Sequence, residues 1–222
     1  MKKLKYIFLL AGALLLASCE SWLDEDPQYT INTKTQFSTV ENAKQALMGC
    51  YGYMSADNAY GQAWQEVTFG YCGFGWSQTN GSSTDLLVSM DGGIDETINT
   101  MAWRGMYKVI GETNAFIANI ADSPLESADK LPMEAAARFL RALAYYNLAV
   151  TYGDVPLKTT PSAHDGVAVP RSPKNEVFEL VRTDWEFAYE NLPEKDDDGF
   201  ATKWAAKAYL GKLYHTLGCQ GD

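Results

Sequence analysis

Apolar residues repeat at helical spacing through five stretches of this chain, and the polar stretches between them carry helix start and stop signals. Ala43, Leu47, Cys50 and Met54 recur every three or four residues behind Ser38-Thr39-Val40-Glu41. That string has the form of a capping box, in which the Ser38 hydroxyl and the Glu41 carboxylate each satisfy a free backbone N–H, so a first helix is predicted there. A second is predicted over Asn99–Ala121, with Trp103, Tyr107, Ile110, Asn114, Ile117 and Ile120 on one face. Pro132 and Glu134 suit the first turn of a third, which carries Ala136, Phe139, Leu140, Leu143, Tyr146 and Val150 and ends at Gly153. The fourth opens with Ser172 as N-cap and Pro173 at its first position, then repeats Val177, Leu180, Val181, Trp185, Ala188 and Leu192. Thr202 caps the fifth, whose buried row is Ala206, Leu210, Leu213 and Leu217, with Gly218 as its stop.

Between the first two helices, residues 55–98 are rich in Gly, Ser, Asn and Asp and read as a long loop region with room for short helical or extended pieces. Asp154–Arg171 holds three prolines and no helical period, so it reads as a connector. Within the fifth helix, Leu210-Gly211-x-x-Tyr214-x-x-x-Gly218 matches part of the tetratricopeptide pattern, in which a small residue lets a partner helix pack closely. With consecutive amphipathic helices and almost no strand signal, the fold class is all-α, a tetratricopeptide-like helical repeat with a long irregular loop between its first and second helices.

The first eighteen residues change the picture. Lys2, Lys3 and Lys5 precede an apolar run from Tyr6 to Leu16, the pattern of a secretory signal peptide and too short for a membrane-spanning helix. Leu16-Ala17-Ser18-Cys19 resembles the bacterial lipobox, so cleavage before Cys19 and lipidation of its sulfur are expected, the acyl chains anchoring the protein to a membrane. The expected organisation is a signal peptide 1–18, a lipidated tether 19–37 and a helical domain 38–222. Removing the signal takes three of the 18 Lys and Arg and leaves 15 against 28 acids, a net charge of −13. Nucleic acid is therefore excluded as a partner, as is docking of the bare surface on anionic lipid. Cys50, Cys72 and Cys219 match no zinc spacing and imply no structure that depends on a disulfide.

Several blocks carry a family resemblance. Cys19-Glu20-Ser21-Trp22-Leu23-Asp24-Glu25-Asp26-Pro27, then Trp103-x-x-x-Tyr107-x-x-Ile110-x-x-x-Asn114, then Ala135 to Tyr146 running on to Tyr152-Gly153-Asp154-Val155-Pro156-Leu157, then Pro170-Arg171-Ser172-Pro173 and Ala201 to Ala208 resemble the SusD/RagB family in order. The resemblance implies a lipid-anchored helical protein on the outer face of the outer membrane. Such a protein binds an oligosaccharide or peptide and caps a TonB-dependent transporter of the SusC/RagA type in nutrient uptake. A helical scaffold that only docks on the transporter is the alternative. Family members are longer, so further helical pairs, and much of the pocket with them, are expected beyond Asp222.

Tyr60, Trp64, Phe69, Tyr71, Phe74 and Trp76 alternate with Gly61, Gly70, Gly73 and Gly75. Aromatic faces stack on the C–H faces of sugar rings, and Gln78, Asn80 and Asp85 follow closely enough to hydrogen-bond hydroxyls. Packing against the first two helices is expected of most of these rings. The resemblance places part of the glycan site in this region, so Trp76 with Asn80 is the leading ligand-binding candidate, Tyr71 and Asp85 its companions. Glu194-x-Asp196-x-Asp198-Gly199 resembles half a calcium loop, but Ala205 stands where the bidentate acid should be, so a solvated acidic connection is expected and no metal. His164 and His215 lie apart, without ligand spacing. Arg138 and Arg141 are expected to pair with acids across the helical stack. No two carboxylates are singled out as a catalytic pair, and no cofactor motif is present, so binding rather than catalysis is expected.

Overall fold

A computed structural model describes residues 33–76, 82–91, 97–161 and 169–219. The described chain is a stack of helices with one small strand pair. Thr33–Gln36 forms a single helical turn, α1, where an extended tether was expected, and Phe37 after it is buried edge-on against Phe116, with ring centroids 5.4 Å apart. The next helix, α2, spans Val40–Ser55. Its N-cap is Thr39, whose Oγ1 accepts from the Asn42 N–H at 3.3 Å. Ser38 instead donates to the Thr35 carbonyl, so the cap lies one residue beyond the one expected. The stripe Ala43, Leu47, Cys50 and Met54 is buried as its spacing requires.

The segment after α2 is shorter on loop than its composition suggests. A kinked turn over Asp57–Gly61 leads into α3, Ala63–Tyr71, and then α4, Ser83–Val88, capped by the Ser82 hydroxyl. The turn sits against α5, Thr97–Ala121, through bare backbone: a Cβ on Gly105 would lie 1.8 Å from the Asn58 carbonyl oxygen. Only glycine permits that approach.

The centre of the stack is α6, Ser127–Tyr152. It begins five residues before Pro132, which therefore lies inside the helix and leaves the Ala128 carbonyl without its usual donor. From Ala135 to Ala137 and from Phe139 to Ala149 every residue is buried, so this stretch has no solvent face; α5 packs on one side of it and α7, Lys174–Asn191, on another. Six alanines, Ala135, Ala136, Ala137, Ala142, Ala144 and Ala149, keep its surface low enough for that close approach. Gly153 ends the helix with φ +74° and donates to the Ala149 carbonyl at 3.1 Å.

The connector holds a feature its prolines concealed: β1, Val155–Pro156, pairs antiparallel with β2, Arg171–Ser172. Ser172 is thus in a strand rather than at the cap of α7. The cap residue is Pro173, and the Asp154 carboxylate accepts from the Lys174 N–H at 2.9 Å from across the connector. The last helix, α8, Lys203–Cys219, buries Ala206 and Leu213, leaves Leu210 and Leu217 half-buried, and runs through Gly218 instead of stopping there.

A buried polar network ties these layers together. Arg141 holds Asp184 through two bonds of 2.8 Å, and its third nitrogen donates to Asn114 Oδ1 at 2.9 Å. Asn114 Nδ2 in turn donates to the Lys158 and Thr160 carbonyls at 2.9 and 3.2 Å. The Tyr145 hydroxyl takes both the N–H and the C=O of Lys158, and the Tyr107 hydroxyl donates to Pro156 O at 2.7 Å. Arg138 pairs with Glu134 one turn back on its own helix, reaches Asp184 across the stack at 3.5 Å, and stacks over Phe187. Pairing of both arginines with acids is the arrangement anticipated for them, and it fixes α5, α6, α7 and the connector in one register.

Candidate functional site

The aromatic segment divides sharply. Tyr60 and Trp64 pack inward: their rings lie 6.4 Å apart, Trp64 is buried, and the Tyr60 hydroxyl accepts from Asn147 Nδ2 at 2.8 Å. Burial pushes the Tyr60 phenol up to about 12, with the Asn147 bond opposing. Both rings pack within the fold, as expected of them. The other four rings are exposed: Phe69 at 50%, Tyr71 at 42%, Phe74 at 93% and Trp76 at 77%. Single exposed apolar side chains are ordinary, but four large aromatics within eight residues are not.

Local geometry explains the display. The buried face of α3 is Ala63, Trp64, Val67 and Gly70, and a Cβ on Gly70 would sit 2.7 Å from Leu87 Cβ, so α4 lies directly on the helix there. Phe69 and Tyr71 flank that contact and are left outside. Gly73, with φ +76°, then reverses the chain, and Gly75 passes so close to Phe69 that a Cβ would meet its ring at 2.9 Å. The backbone of 73–75 thus covers part of Phe69 and carries Phe74 and Trp76 into solvent.

Of the candidate residues, Tyr71 is the last residue of α3 and Trp76 lies beyond the Gly73 turn that follows it. Asp85 sits half-buried in the first turn of α4, its N–H donating to Ser82 Oγ at 3.1 Å. Asn80 and Gln78 lie outside the described residues, as do Cys19 and His164. One residue that pattern reading did not single out is Asn99, whose Nδ2 donates to the Tyr71 hydroxyl at 3.1 Å. Its place in the first turn of α5 carries no chemical signature in the sequence; only the fold brings it to Tyr71.

The acidic connection is committed within the chain. One Asp196 oxygen accepts from the N–H groups of Asp198 and Phe200 at 2.9 and 3.0 Å, Asp198 pairs with Lys44 at 2.8 Å, and Glu194 pairs with Lys203. No cluster of three or more His, Cys, Asp and Glu able to hold a metal occurs among the described residues. Beside this loop is a cavity of about 410 Å³ floored by Leu47, Met133, Ala136 and Phe200. His215 is exposed on α8. Cys50 is buried and Cys72 exposed, both as free thiols.

A protein-family model described as "starch-binding associating with outer membrane" and named SusD-like matches residues 21–215. The chain belongs to the SusD-like family. It is 25% identical over 223 residues to the SusD-like protein P25 of Formosa agariphila, covering 94% of this chain and 42% of that protein. Among solved structures, a SusD superfamily protein of Bacteroides thetaiotaomicron superposes with a TM-score of 0.72 at 24% identity, over 81% of this chain and 43% of that one. A laminarin-binding SusD-like protein gives a TM-score of 0.69 at 25% identity, over 82% of this chain and 41% of that one. The all-α, tetratricopeptide-like architecture is therefore that of the family. This SusD-like chain spans about two fifths of the length of the proteins it matches. No helix among its described residues is long and apolar enough to cross a membrane.

Proposed function

We propose that this SusD-like chain belongs to a cell-surface lipoprotein that captures glycan and works with a TonB-dependent SusC-like transporter in nutrient uptake. Its signal peptide, residues 1–18, is removed, Cys19 carries the lipid on the outer membrane, and residues 19–32 tether a helical domain that begins at Thr33. Trp76 and Tyr71 stack on sugar rings, while Asn80 and Asp85 hydrogen-bond hydroxyls; no catalysis, metal or cofactor is involved. The observation that carries the reading is the exposed set Phe69, Tyr71, Phe74 and Trp76 on a fold shared with a laminarin-binding protein. Rings held out in water cost solubility and contribute little to the core, which supports a role in contact with a ligand.

Calorimetry of the full-length protein with laminarin tests it. Trp76→Ala is expected to weaken binding by about 1–3 kcal/mol, on the scale of aromatic stacking against nucleic-acid bases, with the melting temperature unchanged. Trp64→Ala, which removes a buried ring, is expected to lower stability by about 3–5 kcal/mol. Normal laminarin binding by Trp76→Ala, or an early melt with normal binding, refutes the assignment. Recovery of no TonB-dependent transporter in a pull-down of the full-length lipoprotein refutes the partnership.

A further inference from the structure

Asn99 Oδ1 is the one buried side-chain polar atom among the described residues that lacks a hydrogen-bond partner. A buried carbonyl that has given up water and found no donor lowers stability, and a leucine, which has the same branched shape but no polar atom, would remove that cost. What the carboxamide provides lies on its other side, where Nδ2 donates to the Tyr71 hydroxyl at 3.1 Å. Turning the amide over exchanges the two atoms and leaves the same tally, one bond to Tyr71 and one buried group unpaired.

The anchor is itself well held. The main-chain carbonyl of Asn99 accepts from the Tyr152 hydroxyl at 3.4 Å, and Tyr152 packs edge-on against Trp103, with centroids 5.1 Å apart. Trp103 in turn lies 5.0 Å from Tyr107, which is bound to the Pro156 carbonyl. Tyr71, by contrast, is the last residue of α3, exposed, and followed by the Gly73 reversal. A ring in that position would turn freely if nothing gripped its far end.

We propose that Asn99 is a positioning residue for ligand binding: it grips the Tyr71 phenol at the hydroxyl end and sets the ring plane before a sugar arrives. Tyr71 then offers its face for stacking while its hydroxyl stays engaged with the protein. Ordering the ring in advance removes an entropy cost that would otherwise fall on binding, and the orphaned carbonyl is what that arrangement costs the fold. The inference rests on the reading of the exposed rings as a glycan contact.

The test is a double-mutant cycle in the full chain, with Asn99→Leu and Tyr71→Phe, which cut the same bond from opposite ends. Ring order at Tyr71 is read by NMR relaxation in tyrosine-labelled wild type and Asn99→Leu, and Kd is measured with laminarin. Asn99→Leu is expected to loosen the ring, to weaken laminarin binding about two- to tenfold, and to leave the melting temperature unchanged or raised. Tyr71→Phe is expected to give the same loss, and the double variant no more than either single one. Unchanged ring order in Asn99→Leu, or a lowered melting temperature with unchanged Kd, overturns the inference. Normal laminarin binding by Tyr71→Ala instead overturns the glycan reading beneath it, whatever the ring does.

Discussion

Asp184→Ala isolates the buried network. Asp184 is fully buried and takes two bonds from Arg141, which is itself 5% exposed, so the substitution strands a guanidinium away from water. Its remaining acceptor would be the neutral Asn114 oxygen at 2.9 Å, which cannot compensate a full charge. Breaking a buried pair from one side costs about 3–5 kcal/mol. For a domain of this size each kcal/mol lowers the melting temperature by about 2–4 °C, so a drop of about 6–20 °C is expected by circular dichroism. Arg141→Lys should fall between, since an ammonium cannot hold both carboxylate oxygens in the same fork. The decisive variant is Arg141→Met with Asp184→Leu, which removes both charges and should recover most of the loss, because the cost lies in the stranded charge rather than in a missing attraction. A melt for Asp184→Ala within about 2 °C of wild type, or a double variant as unstable as the single one, would refute this account.

Gly105→Ala should destabilise the fold. An unhindered Gly→Ala change in a helix gains about 0.5–1 kcal/mol, but here the new Cβ would fall 1.8 Å from the Asn58 carbonyl. Gly49→Ala, with open space around it, should stabilise, and equal melting temperatures for the two variants would contradict the packing argument. Burial pushes the Cys50 thiol up to about 12, so at pH 8 it stays protonated and shielded. Iodoacetamide followed by peptide mass spectrometry should therefore modify exposed Cys72 and spare Cys50 until denaturant is added. Cys19→Ala should abolish metabolic labelling by a fatty-acid analogue, and persistent labelling would show a different acceptor.

Periodicity alone located the five main helices and most of their buried stripes, because a helix that must bury one face needs apolar residues every three or four positions whatever it packs against. The pairing of the Arg138 and Arg141 side chains with acids was legible too, since a charge on an apolar stripe needs a partner. Caps and stops were less so. Thr39 displaced Ser38, Asp154 came from across the connector to the start of α7, and α8 passed through Gly218, since such local choices are settled by competing hydrogen bonds a residue or a loop away. The β1–β2 pair and the helices inside 55–98 depend on long-range contacts that residue composition does not encode. At the candidate site, packing was expected of most of the six aromatics, but four are exposed, and periodicity could not divide them. The fold did so, by laying α4 on Gly70 and turning the chain at Gly73, so that Trp64 faces the core while Phe74 and Trp76 face water. The placing of Asn99 at the Tyr71 hydroxyl belongs wholly to the tertiary structure: the residues are 28 apart, and only the packing of α3 beside α5 closes that distance to a hydrogen bond.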